Sequence, residues 1–481
     1  MGKRSVILFV LISAITISVG ADDKMSKELT KLNNAAARAK YPKKGAKDVA
    51  KAEAAAELVY KTHPEETGTA HYMLGEMYTL AESEEVANYP KAMQLLRQCL
   101  TEISEDNRFR SFAYYNIGYL YSKGKGITQN YDSAFVYFDK AQQKSKARIT
   151  GYAKFLEAGL GVSRDPIAAM KAYAEGIQAG SQFLYMCYPP IIYALDHLKK
   201  GDLDKESYDK FLRFTVEIDF GDKEVAIKNL RESAAAGYLP AQAELGTTLY
   251  DGSHGTQDKE EGLRMLKLAA DAGYAPACHN YATYNFQHEV NDKPGGMFKG
   301  KKLQQEMAPY YQKAADQGFA PSEYAVGNTY VNGLTGVVDV AKGYRYLALA
   351  EKHGYTDATL LKNQVSIDAS VKSAIDAEVG KEPTLKDYIA KLGDEYSKMP
   401  QLAELSNPAD EGTSAEEGAL DADFYQSQYN RYARRVEREL KTDNPRKDMI
   451  ESTLQKMKDI VKQANAKGFN ISRSTVEDTK L

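Results

Sequence analysis

At 481 residues the chain is too long for one compact core, so it holds several domains or is an elongated repeat protein whose units touch only their neighbours. With 63 basic against 66 acidic residues, a net charge of −3, it offers no electrostatic footprint for nucleic acid. Its three cysteines, Cys99, Cys187 and Cys278, lie far apart without CxxC spacing, which disfavours a disulfide framework or a thiolate metal site and reads as small buried hydrophobes.

In chain order, Lys3 and Arg4 precede an apolar run from Val6 to Val19, and Val19 and Ala21 stand at signal-peptidase positions before Asp22 and Asp23. Residues 1–21 are therefore expected to be a cleaved secretory signal, because the run is shorter than the roughly 20 apolar residues that span a bilayer. No cysteine follows to carry a lipid, and no second run of spanning length occurs. The expected product is an exported soluble protein, periplasmic or extracellular. Residues 22–69 read as Ala-rich N-terminal capping helices broken at Tyr41-Pro42-Lys43-Lys44-Gly45.

From residue 70 to 356 the chain repeats itself. "AHYMLGEMY" from Ala70 and "AYYNIGYLY" from Ala113 are copies of one pattern, and "ITGYAKFLEAGLGV" from Ile149 is a weaker one. Three later copies begin with a Gly-aromatic-x-Pro turn at Gly237, Gly273 and Gly318. The apolar spacing of four after each turn puts one stripe on a first helix. A glycine loop follows, as at Gly124, Gly159, Gly252 and Gly333, and then an Asp or Asn. Asp165, Asp222, Asp258 and Asp339 each precede by fifteen positions a glycine, namely Gly180, Gly237, Gly273 and Gly354. A capping carboxylate at one end and a glycine free to turn left-handed at the other measure out a second helix. Pro166 suits its first position, and Glu261 completes a predicted capping box with Asp258. Asn88 and Asn130 take the capping place in earlier copies. Small residues four past the cap (Ala92, Ala134, Ala169, Ala226, Gly262, Gly343) let the paired helices approach closely. About seven repeats are expected, one degenerate at 181–237, where Pro189-Pro190 breaks the copy, and one with an inserted loop at 286–302. A single hairpin cannot bury its apolar stripe, and stacking lets each cover the next.

The LG-x-x-Y first helix, the G-x-G-[VI]-x-x-[DN] loop and the [AG]-x-x-[YFL]-x-x-[KL]-A-A-x-x-G second helix resemble Sel-1-like repeats, relatives of tetratricopeptide repeats. The resemblance implies an all-α superhelical solenoid of helix hairpins whose concave face, lined by the first helices, holds other proteins. Some cysteine-rich bacterial relatives bind or cleave penicillin-type compounds and carry a Cys pair in each repeat, which this chain lacks. Eukaryotic relatives act in endoplasmic-reticulum quality control, but no terminal retention signal is present here, and a bacterial envelope is the expected setting.

In register with the L-G pair, the positions two before and two after the Leu point off the packed stripe. The candidate partner-binding residues are Tyr72, Glu76, Tyr115, Tyr119, Thr247, His279, Thr283, Tyr324 and Asn328, aromatics with polar tips among hydroxyls and amides. The competing reading has Tyr115 and Tyr324 packed between neighbouring hairpins. Tyr78, Tyr121 and Tyr330 are expected core positions.

Chemistry is mostly absent. Gly295–Lys302 nearly matches a phosphate-binding loop, but Lys302 stands where Ser or Thr should ligate magnesium and no strand precedes it. Ser122-x-x-Lys125 and Ser207-x-x-Lys210 lack the companion S-D-N and K-T-G motifs. No H-E-x-x-H occurs. No cofactor or metal is expected.

Residues 357–405 read as closing cap helices, and the acidic, small-residue segment 406–423 as a flexible linker. Residues 424–481 read as a pair of amphipathic helices, the second capped by Asn444 with a stripe of Ile450, Leu454, Met457 and Val461. This pair docks on the stack, self-associates, or is a partner's handle. The expected function is a non-catalytic exported scaffold or adaptor. The alternative is a cell-envelope enzyme or binder acting on peptidoglycan or a beta-lactam-like ligand.

Overall fold

Two local devices recur in the repeats: a side chain that caps the second helix, as at Asn88, Asn130, Asp222, Asp258 and Asp339, and a glycine that ends it, as at Gly180, Gly237, Gly273 and Gly354. The computed structural model describes residues 25–41, 45–405 with short interruptions, the longest 294–298, and parts of 425–478. The signal 1–21, the linker 406–423 and Gly295 to Phe298 of the phosphate-loop near-match lie outside the described residues. Among the described residues every regular element is helical, and the chain is an all-α helical-repeat solenoid. It divides into two units, one of residues 25–165 with 425–478 and one of Pro166–Leu405.

In the first unit, α1 (Lys27–Ala39) pairs with α2 (Gly45–Thr62). Ser26 caps α1 by accepting from the Leu29 N–H at 3.0 Å, and α1 buries Leu29, Leu32, Ala35, Ala36 and Ala39. α3 (Thr67–Leu80) pairs with α4 (Tyr89–Glu102), α5 (Phe109–Lys123) with α6 (Tyr131–Lys144), and α7 (Thr150–Ala158) packs on α6. Asn88 and Asn130 cap α4 and α6 through the Lys91 and Ser133 N–H groups at 3.1 and 2.8 Å.

The second unit starts with α8 (Pro166–Gln178), α9 (Pro189–Lys200) and α10 (Lys205–Phe220). Four hairpins follow: α10 with α11 (Lys223–Ala235), α12 (Leu239–Asp251) with α13 (Lys259–Asp271), α14 (Ala275–Gln287) with α15 (Gly300–Ala315), and α16 (Ala320–Asn332) with α17 (Val340–Lys352). Asp222, Asp258 and Asp339 cap second helices of 13 residues each. Gly180, Gly237, Gly273 and Gly354 all take φ +93°, the left-handed turn that spacing predicts.

The glycine of the L-G pair serves close approach. A methyl on Gly246 would meet the Gly262 carbonyl oxygen at 2.8 Å, and one on Gly327 the Gly343 carbonyl oxygen at 3.0 Å. Gly75 and Gly118 face the carbonyls of Ala92 and Ala134 in the same way. The small residue four past the cap is thus the partner of the glycine in the first helix.

Pro189-Pro190 starts α9, where the missing N–H groups have no intrahelical acceptor to serve. Two expectations need correction. The capping box at Asp258 is half made: the Glu261 N–H donates to Asp258, but Glu261 turns both oxygens to the Arg264 guanidinium at 2.6 and 2.7 Å. And residues 357–405 do more than close the last repeat. α18 (Asp357–Gln364) and α19 (Ala369–Val379) pack on α17, whereas α20 (Leu385–Tyr396) packs on α8 at the beginning of the same unit. There the Lys171 ammonium is 3.6 Å from Asp394, Lys199 is 2.5 Å from Glu395, and the Tyr396 hydroxyl donates to Asp196 at 2.6 Å. Ile191, Leu195 and Leu198 of α9 are buried, each contributing on the order of 2 kcal/mol. The second unit therefore closes end to start.

At the C-terminus, α21 (Lys447–Ala466) buries Ile450, Leu454, Met457, Ile460 and Ala464 against Tyr425, Tyr429, Ala433 and Val436. Phe469, Ile471 and Val476 fold back on this core, and the Ser474 N–H donates to the Tyr429 hydroxyl at 2.6 Å. The apolar stripe is already covered within the segment.

Candidate functional site

The nine candidate residues fall into two groups, one per unit. In the first unit Tyr72 is buried, its ring 5.0 Å from Phe109 and 5.9 Å from Phe112. Its hydroxyl donates to Glu76, which also takes the Lys40 ammonium. Burial first, and then the Glu76 carboxylate, hold the Tyr72 phenol well above its usual range. Tyr72 is a packing residue between first helices and Glu76 is its anchor, so neither is free for a partner. Tyr115 is half-buried, 5.2 Å from Phe138 of α6, the second helix of its own hairpin. Tyr119 is half-buried with the Lys123 ammonium 5.7 Å over its ring. Sequence reasoning missed Arg148, whose guanidinium lies 3.8 Å over Phe112 and 6.0 Å over Tyr115.

In the second unit Thr247 is buried, donating to the Ala243 carbonyl and accepting from Asn280 at 3.1 Å. The other four stand half-buried on α14 and α16, the first helices of consecutive repeats. His279 Nδ1 is 2.9 Å from Ser322 Oγ, and the ring meets Tyr311 and Phe319 edge-on at 5.5 and 5.7 Å. Thr283 lies 2.9 Å from the Tyr311 hydroxyl. Tyr324 packs on Tyr355 at 5.3 Å, and Asn328 accepts from Asn332 at 2.7 Å. His279 and Thr283 share Tyr311 as a neighbour, whereas Tyr324 and Asn328 have neighbours of their own, Tyr355 and Asn332.

Beneath them lie two groups that the sequence reading passed over. Ser322 is 0 % and Glu323 2 % exposed, adjacent in the first turn of α16. Glu323 bonds His353 Nδ1 at 2.7 Å; burial pushes its carboxyl up, and the His353 bond opposes this only in part. The His353 carbonyl accepts from the Tyr185 hydroxyl at 3.0 Å, tying α16 and α17 to the segment before α9. The signal was present in the frame. Gln242, Cys278 and Glu323 share one position after the turn proline, where the first two reach the Ala234 and Ala270 carbonyls. A charged group there needs a different partner.

Cys99 and Cys278 are buried free thiols, pushed by burial to about 12 and about 11. Among the described residues no group of His, Cys, Asp and Glu is arranged to hold a metal ion, and none of the helices searched is long and apolar enough to cross a membrane.

The Sel1 repeat family matches residues 68–98, 111–142, 150–180, 239–274, 310–319 and 320–355. No curated protein matches the chain. Among solved structures, a Sel1 repeat protein from Oxalobacter formigenes is 18 % identical, over 64 % of this chain and 90 % of that one, with a TM-score of 0.29. Another is c5321, a protective antigen present in uropathogenic Escherichia coli strains displaying an SLR fold. It is 15 % identical, over 87 % of this chain and 95 % of that one, with a TM-score of 0.28. Likeness at that level bears on neither detailed arrangement nor activity. The matched segments, four of which have a capped second helix and a close helix crossing, show that residues 68–355 contain Sel1-like repeats.

Proposed function

We propose that the protein is an exported scaffold or adaptor without chemistry of its own, holding a protein partner on the first helices of its repeats. In this reading residues 1–21 direct export to the periplasm or beyond, and the acidic segment 406–423 tethers the C-terminal helical module. The observation that carries it is the run of half-buried, polar-tipped side chains His279, Thr283, Tyr324 and Asn328 on α14 and α16. Helical side chains held by their neighbours form a contact surface at low entropic cost. Tyr119 and Tyr115 are the corresponding contact residues of the first unit.

Crosslinking in living cells followed by mass spectrometry tests it. The wild-type chain should return one protein in stoichiometric amount, and the double variant Tyr324→Ala, Asn328→Ala should lose it while keeping its thermal midpoint. Retention on purified peptidoglycan, with turnover abolished by one acidic substitution, would contradict the scaffold reading and favour the envelope enzyme.

A further inference from the structure

The first turn of α16 sits between two histidines with opposite needs. On one side His279 of α14 meets Ser322, Tyr311 and Phe319, that is, one hydroxyl and two aromatic rings edge-on. On the other, His353 at the end of α17 faces the Glu323 carboxylate, 2.7 Å away. His353 thus has a carboxyl partner. A proton added to His279 meets none, because a hydroxyl can accept its hydrogen bond but cannot neutralise its charge.

The charged groups on the elements around His279 are engaged elsewhere. On α15 the Lys313 ammonium donates to the Ala270 and Asp271 carbonyls, and Tyr310 to the Asp271 carboxylate. On α13 Asp271 is held by Lys267 at 2.6 Å. On α12 Glu244 and Asp251 act on Tyr284 rather than on this ring. Glu323 on α16 belongs to His353. Burial alone pushes His279 down to about 4.

We infer that the contact between α14 and α16 is a proton-operated joint: acid charges His279, parts it from the first turn of α16, and dismantles the face formed by His279, Thr283, Tyr324 and Asn328. This regulation rests on the proposed partner-binding reading of that face. The sign is that of a depressed histidine. Below its unfolded pKa of about 6.5 the opened joint takes up a proton that the closed joint refuses, so closure is lost progressively toward about 4.

The test is hydrogen exchange on the full chain between pH 7 and pH 4, corrected for intrinsic rates. Peptides from α14 and α16 are followed against α10 and α11, which contain no histidine. Opening of α14 and α16 should rise about a hundredfold in the wild type while α10 and α11 stay protected. His279→Gln should abolish the rise and Glu323→Gln should keep it. Proton uptake followed by NMR at His279 in the wild type should coincide with opening, which serves even if the glutamine variant folds poorly. No differential opening, or equal opening in His279→Gln, overturns the joint. If the joint opens and a partner captured at pH 7 is nevertheless retained at pH 4, the joint stands and the partner-binding reading of this face fails.

Discussion

The hairpin α12–α13 and the hairpin α10–α11 stand next to each other in the second unit and solve the same packing problem differently. In α12–α13 the helices cross backbone to backbone, Gly246 against Gly262, with no room for a methyl on either. In α10–α11 the first helix has no L-G pair and buries Tyr208, Phe211, Phe214 and Phe220 instead. Its crossing is fixed by Ala226 and by the Ser233 hydroxyl, which donates to the Ser207 carbonyl at 2.8 Å. Both second helices keep the Asp cap and the left-handed glycine. Cap and turn therefore suffice to make a hairpin, and the glycine crossing is what makes it a regular member of the stack.

That difference predicts a graded set of effects. Gly262→Ala, whose methyl would meet backbone atoms at 2.7 Å, should cost about 3 kcal/mol in denaturant unfolding. Ala226→Gly in the divergent hairpin should cost only about 1 kcal/mol, from helix propensity. A larger loss at Ala226 would mean that the two crossings are equally tight. Asp258→Ala and Asp222→Ala should each cost about 1 kcal/mol, because the cap is common to both hairpins. An unequal pair would show that capping depends on the crossing. Ser233→Ala should remove about 0.5–1 kcal/mol, and a null result would leave α10–α11 held by its aromatics alone.

The smallest effect is pH-dependent. Burial raises the folded-state pKa of Glu323, so the folded chain binds the extra proton and stability falls as pH rises from the ordinary carboxylate range through the folded value. Glu323→Gln removes that decline. Its thermal midpoint relative to the wild type should rise by about 1–2 °C between pH 4 and pH 8. An unchanging gap would mean that the His353 bond fully offsets burial.

The repeat was legible because caps and turn glycines act locally: Asp222, Asp258 and Asp339 needed only their own helix, and Gly180, Gly237, Gly273 and Gly354 only their own turn. Residues whose role depends on the next hairpin were not. Helical period places Tyr72 off the stripe, but Phe109 and Phe112 of the following first helix cover it. Thr247 is covered in the same way and bonded by Asn280. Glu261 had two partners within reach, and the bidentate guanidinium won over one backbone N–H. Nothing local in Pro189 to Lys200 announced that α9 would lie at a closure between residues some two hundred positions apart.

Closure of the second unit is what the account depends on most, and a spin-label distance between positions 171 and 394, where the Lys171 ammonium and the Asp394 carboxylate are 3.6 Å apart, tests it most directly. With α8 and α20 packed as neighbours, the labels should be separated by about 20 Å or less, given interaxial distances of 8–10 Å. A distribution centred near 50 Å, as expected where several helices stand between the labels, would contradict the account.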